Sequence, residues 1–139
     1  MRFKTQAHVV YKTKYHIVWI TKYRRKILVG GVKQYCEEVI RTYVFDHIPD
    51  VGIEEISIQS DHVHVMMEIP PKYAVGKVVG DIKANSSRIM RKKFGYIGSK
   101  SAMWSIGYFV STVGMNESTI RKYIQMQEEQ DKGRSEIEI

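Results

Sequence analysis

Cysteine is nearly missing from this chain of 139 residues, where Cys36 stands alone. A single thiol excludes an internal disulfide and any multi-cysteine zinc site, and its place in an apolar helical pattern predicts a core residue. Long apolar runs are missing too, since none approaches the ~18 residues that span a bilayer. The opening Met1-Arg2-Phe3-Lys4-Thr5-Gln6 has no signal-like apolar segment. Secretion and membrane insertion are therefore not expected, and a cytoplasmic location is the default expectation. No repeat, low-complexity tract or linker interrupts the sequence, which predicts one domain over residues 1–139.

Acidic residues are scarce, 15 against 22 Lys and Arg, for a formal charge of +7. Those present crowd one end, where Glu128, Glu129, Asp131, Glu136 and Glu138 face only Lys132 and Arg134. This acidic stretch, from about residue 128, is expected to fray beyond Gln130, and the remainder is more basic still. Such a surplus points to a polyanion, nucleic acid first, with ordinary solvated charge as the competing reading. The candidate phosphate contacts are Lys12, Lys14, Lys22, Arg24, Arg25, Lys26, Arg88, Arg91 and Lys92.

Residues 8–21 include Tyr15-His16-Ile17-Val18-Trp19-Ile20, whose β-branched and aromatic content predicts a first strand. Val32, Tyr35, Cys36, Val39, Ile40, Tyr43 and Val44 then recur at helical spacing until Pro49. A second strand is predicted over 51–59 and turns at Ser60-Asp61 into a third. Val75, Val78, Val79, Ile82, Ser86 and Ile89 predict a second helix, and 107–114 a fourth strand. A last helix opens near Asn116, a good N-cap, with Ile120, Tyr123, Ile124 and Gln127 along one stripe. The order βαββαβ plus a final helix is the α+β, ferredoxin-like arrangement, with the first and third strands central and both crossover helices on one face.

The third strand carries Asp61-His62-Val63-His64-Val65-Met66-Met67-Glu68. Side chains alternate along a strand, so His62, His64, Met66 and Glu68 share one face and the valines the other. Two imidazoles on one face can serve one divalent ion, although the same pair could simply be polar residues turned to water. If the valine face meets the helices, the histidines lie on the open face. The final helix is the only element left to cover that face, so Tyr123 or Gln127 could meet them.

Tyr15-His16-Ile17-Val18-Trp19, Lys22-Tyr23-Arg24-Arg25-Lys26, Asp61-His62-Val63-His64, Pro70-Pro71-Lys72-Tyr73, Trp104-Ser105, Tyr108-Phe109-Val110-Ser111-Thr112-Val113-Gly114 and Arg121-Lys122-Tyr123-Ile124-Gln125-Met126-Gln127 occur in that order. Together they resemble the small single-tyrosine transposases of bacterial and archaeal insertion sequences, members of the HUH (histidine-hydrophobe-histidine) endonuclease superfamily. The resemblance implies metal-dependent cleavage and rejoining of single-stranded DNA at transposon ends, hairpins among them, through a covalent 5′-phosphotyrosine. By position, Tyr123 would be the nucleophile, and His62, His64 and Gln127 would hold Mg²⁺ or Mn²⁺. His16 and Asp61 would orient those ligands from behind. It further implies a homodimer in which the tyrosine helix of one subunit completes the histidine site of the other, the Gly114-Met115-Asn116 hinge permitting the exchange.

Outside the resemblance, Tyr123 would be a ring packed beside Ile120 and Ile124, and Gln127 a solvated residue. A non-catalytic RNA-binding module shares the βαββαβ order, with Gly107-Tyr108-Phe109-Val110 as its aromatic platform. A histidine-dependent nucleotide hydrolase lacks a partner histidine or a phosphate loop.

Overall fold

The computed structural model describes residues 4–6, 9–11, 13–97, 102–112 and 116–138. Its elements are β1 (Lys4–Gln6), β2 (Val9–Tyr11), β3 (Lys14–Ile20), α1 (Gly30–His47), β4 (Gly52–Gln59), β5 (His62–Glu68), α2 (Val75–Lys93), β6 (Phe109–Ser111) and α3 (Glu117–Glu138), with short 3-10 turns at Lys22–Arg24 and Gly95–Ile97. The antiparallel sheet runs β4-β5-β3-β6, so the first and third strands of the βαββαβ unit are central, as the sequence pattern requires.

Alternation decides which face becomes core. Ile17 and Trp19 of β3, Ile58 of β4, and Val63, Val65 and Met67 of β5 are buried against Cys36, Val39 and Ile40 of α1 and Val78, Val79, Ile82 and Met90 of α2. The other face is covered in part by α3, whose Tyr123 and Ile124 pack with Val18, Ile20, Phe109 and Ile120. Asn116 caps α3 by accepting from the Thr119 amide at 2.8 Å, satisfying one of the exposed first-turn donors.

Three stretches differ from the pattern reading. Residues 8–21 are not one strand: β2 pairs back on β1 as a separate hairpin, and β3 starts at Lys14. Apolar composition marks strand residues without saying which partner each segment takes. Among the described residues the fourth strand, expected over 107–114, is Phe109–Ser111; Gly107 at φ +96° stands in the left-handed region before it, and Val113 lies outside the described residues. Gly114 and Met115 of the hinge lie outside the described residues. The segment expected to fray is helical through Glu138, and Asp131 within it is buried.

Trp19 and Trp104 meet edge to face at 6.0 Å behind the sheet. The Trp104 indole donates to the Ser86 hydroxyl at 3.0 Å inside this core. Ser86→Ala strands that donor, so the chain is expected to lose about 1–3 kcal/mol of stability, measured by urea unfolding. An unchanged midpoint would show that the indole finds another acceptor.

Candidate active site

The register places the histidines. His62 pairs with Ile20 on β3 and Gln59 on β4, and His64 with Val18 and Ser57. Met66 in turn lies between His16 and Glu55. His62, His64 and His16 therefore share the open face, with the rings of His16 and His64 5.8 Å apart. A cleft of about 330 Å³ beside them is lined by His16, Arg41, Glu55, Ile56, Ser57, His64 and Met66. Nδ1 of His16 is buried there with no hydrogen-bond partner among the described residues.

Asp61 sits at the turn before β5, where it escapes the alternation that would direct it away from its neighbour. Its Oδ1 lies 2.8 Å from Nδ1 of His62, and its Oδ2 accepts from Nε of Arg24 at 2.8 Å. An ionised carboxylate only accepts, so Nδ1 of His62 carries the proton and Nε2 is the ring nitrogen left for another partner. Burial opposes ionisation of Asp61, but the hydrogen bonds and charges of His62 and Arg24 outweigh it and hold the carboxyl below the usual carboxylate range. Burial also depresses His64, with the nearby His16 and His62 adding to the effect and Glu55 opposing it. His64 is thus prepared as a neutral nitrogen donor, and His62 is oriented by the carboxylate of Asp61.

Tyr123 and Gln127 lie on the same side of the sheet, one helical turn apart on α3. Tyr123 is 6% exposed, its ring 5.7 Å from that of Phe109, and its hydroxyl has no hydrogen-bond partner among the described residues. Burial, then the charge of Asp131, raises its pKa above the ordinary phenol value. Gln127 is turned to the 102–107 segment: its amide nitrogen donates to the Ser105 hydroxyl at 2.8 Å and to the Ile106 carbonyl at 2.6 Å. Its side-chain oxygen takes no part in either bond. The fold thus gathers His62, His64, His16 and Asp61, and sets Tyr123 and Gln127 above the same face without a hydrogen bond from the phenol to either imidazole. Among the described residues, no three His, Cys, Asp or Glu side chains converge on one ion. A metal held here would draw on two imidazoles and amide or water oxygens, a set that borderline and hard divalent ions accept.

Several of the predicted phosphate contacts serve the architecture. Arg25 donates to the carbonyls of Lys22, Ile97 and Ala102, pinning two connections. Arg24 is engaged by Asp61 and, at 3.9 Å, by Glu128. Lys14 pairs with Glu54 at 3.1 Å, Lys22 lies over the Tyr23 ring, and Arg91 bonds the Ser87 carbonyl. Lys26, Arg88 and Lys92 are exposed, whereas Lys12 lies outside the described residues.

Pattern reading passed over Ser105, Asp131 and Lys83. The Ser105 hydroxyl donates to Asp131 at 2.7 Å and accepts from Gln127, so it anchors α3. Asp131 follows Gln127 by four residues, a spacing that marks it as a continuation of the Tyr123 and Gln127 face. Lys83 donates to the carbonyls of Ser105 at 2.8 Å and Gly107 at 2.5 Å, and burial brings its pKa down to about 8. The aromatic platform of an RNA-binding module is not available here: Phe109 packs under Tyr123, and the Tyr108 hydroxyl lies against Gly76 of α2.

Comparison with known proteins bears on the family and the fold. The family model described as "Transposase IS200 like" matches residues 9–127. The transposase for insertion sequence element IS200 of Salmonella typhimurium is 35% identical over 141 residues, covering 99% of this chain and 86% of the relative. The ISDra2 transposase TnpA of Deinococcus radiodurans is 30% identical over 114 residues, covering 78% and 79%. A Deinococcus radiodurans crystal structure assigned as a transposase superposes with a TM-score of 0.79 at 25% identity, covering 89% of this chain and 97% of its own. A REP-associated tyrosine transposase bound to a REP hairpin shares the fold at a TM-score of 0.56 and 12% identity, over 86% of this chain and 67% of its own. The chain belongs to the IS200-like family of transposases.

Proposed function

We propose that the chain cuts and rejoins single-stranded DNA at the ends of an insertion sequence, with Tyr123 as nucleophile and His62, His64 and Gln127 as the residues that hold a divalent ion. The observation that carries this reading is the register that puts both imidazoles on the one sheet face that α3 crosses. Attack by the Tyr123 oxygen on the scissile phosphorus forms a phosphotyrosine on the 5′ side, and the 3′ oxygen leaves and takes up a proton. The ester so formed keeps the energy of the broken bond, and attack by a 3′ hydroxyl reverses the step without ATP. Mg²⁺ or Mn²⁺ bound at this site supplies a Lewis acid for the phosphoryl oxygens. Asp61 fixes the His62 ring so that Nε2 faces outward, and the depressed pKa of His64 keeps it unprotonated at neutral pH.

The working form in this reading is a homodimer with composite sites, α3 of one protomer serving the histidines of the other. Two features support it: the docked helix leaves the Tyr123 hydroxyl unpartnered, and β6 is a sheet edge whose Val110 is 40% exposed. Such an edge is open to pairing with a second copy.

The test uses single strands from both ends of the encoding element, labelled at either terminus, with Mn²⁺. A denaturing gel is expected to show label retained on protein for the 3′ fragment and released for the 5′ fragment. Covalent transfer of the 5′ fragment would reverse the proposed polarity, and cleavage without any adduct would remove the phosphotyrosine. Single-strand affinity is also expected to fall with salt, at a log-log slope of about −0.7 per phosphate neutralised. A flat salt response would remove Lys26, Arg88 and Lys92 as the binding surface.

A further inference from the structure

The turn joining β3 to α1 holds two consecutive non-glycine residues at positive φ, Tyr23 at +60° and Arg24 at +56°. The left-handed conformation is costly for residues with a Cβ, and single occurrences usually fall to glycine or asparagine. An adjacent pair persists only where its surroundings over-determine it, and such strain concentrates at functional sites. Here the restraints are on view. The Tyr23 amide donates to Asp131 of α3 at 3.0 Å, the Arg24 amide donates to the Thr21 carbonyl at 3.0 Å, and the Thr21 hydroxyl donates to the Arg25 carbonyl at 2.6 Å. Thr21 also donates its amide to the Asp61 carbonyl at 3.0 Å, tying this turn to the one before β5.

The result of the strain is the aim of one side chain. Arg24 reaches Oδ2 of Asp61 with Nε at 2.8 Å, while Oδ1 of the same carboxylate holds Nδ1 of His62 at 2.8 Å. Asp61 is 6% exposed, so a carboxylate there needs a cation to stay charged and correctly turned. The other end of the guanidinium faces Glu128 of α3 at 3.9 Å. Arg24 thus joins the docked helix to the group that sets the tautomer of a histidine.

We infer that Arg24 is a positioning residue for the metal site, acting through Asp61 to hold His62 with Nδ1 protonated and Nε2 outward, and not a phosphate contact. This rests on the proposed metal role of His62 and His64. Groups behind a ligating histidine typically change metal affinity by about 10–100-fold when removed.

The experiment compares wild type with Arg24→Gly, Arg24→Gln and Arg24→Lys. Glycine relieves the left-handed strain while removing the cation; glutamine keeps a long side chain but is neutral; lysine restores a charge. Mn²⁺ affinity of the DNA-free protein is read by electron paramagnetic resonance, well below each melting temperature. The His62 tautomer is read from imidazole ¹⁵N shifts of the metal-free protein at one fixed pH. Glycine and glutamine variants are expected to lose about 10–100-fold in Mn²⁺ affinity and the Nδ1–H signature, with lysine recovering part of both. Methylguanidinium at millimolar concentration is expected to restore affinity to the glycine variant. If glycine prevents cooperative melting, the glutamine and lysine variants carry the comparison.

Wild-type Mn²⁺ affinity and tautomer in a folded glutamine variant would overturn the inference. A wild-type chain that binds no Mn²⁺ would instead overturn the metal reading, and the tautomer comparison would still test Arg24. A structural role confined to the turn predicts that glycine raises the melting temperature and leaves both readouts unmoved; that result would also overturn it.

Discussion

Tyr123→Phe is expected to abolish the covalent DNA adduct while leaving the fold intact. The substitution deletes one oxygen from a ring that packs with Val18, Ile20, Phe109 and Ile120. That oxygen is buried without a hydrogen-bond partner in the docked helix, so its removal breaks no bond. Taking an unsatisfied polar group out of an apolar site is neutral or stabilising, and the urea midpoint should stay or rise by an amount equivalent to at most about 1 kcal/mol. Activity should move the other way by on the order of 10⁶, the scale seen when a covalent nucleophile is removed. A persistent adduct in this variant would assign the attack to another residue.

The raised pKa of Tyr123 sharpens the expectation. Burial is the main cause and the Asp131 charge the second, so the docked phenol stays protonated across the neutral range. An acid whose folded pKa exceeds its unfolded value near 10 stabilises the fold fully below that pH and loses the contribution as pH rises above it. Alkaline unfolding should therefore be delayed in Tyr123→Phe relative to wild type.

Period-two and period-3.6 patterning suffices for most of this architecture because burial enforces it. A strand with valines at 63 and 65 buried and histidines at 62 and 64 only partly so has one workable orientation against two amphipathic helices. The His62 and His64 pair was therefore legible from alternation alone. Asp61 was not, because alternation applies within a strand and this residue stands in the turn, free to fold back on its neighbour's ring. Arg24 and Arg25 were read as candidate phosphate contacts, since composition cannot distinguish a cation facing a polyanion from one drawn to a carboxylate or to carbonyls of its own chain. The carboxylate of Asp61 is 37 residues away in the chain. Asp131 was misread for a related reason: an acidic, polar segment signals fraying only if nothing in the fold offers it donors, and Tyr23 and Ser105 both do. The pattern gave each helix a stripe but not the contacts along it.

Replacing both His62 and His64 by Ala is expected to remove divalent-metal-dependent cleavage and leave single-strand affinity largely in place. The two rings are half-buried on the open face, while the alternate residues Val63 and Val65 form the core beneath. Loss of a Lewis acid contribution of several kcal/mol lowers the rate by roughly 10³-fold or more. The phosphate contacts in the proposed reading are other residues, the exposed Lys26, Arg88 and Lys92, so a filter-binding curve in EDTA should hardly shift. Unchanged cleavage would sink the metal assignment, and loss of cleavage together with loss of binding would place the histidines in DNA contact. The pH response separates the two rings further. Burial, then His16 and His62, depresses the pKa of His64, so its neutral form persists below the ordinary imidazole value near 6.5. A base depressed in this way stabilises the fold fully above its unfolded pKa, and that contribution falls away as pH drops toward the folded value, because the unfolded chain binds the proton first. At saturating Mn²⁺, wild-type cleavage should therefore hold through pH 6.5 and decline only below it. His16→Ala takes away a group that depresses His64, both by covering the ring and through its charge when protonated, and should move the decline upward in pH.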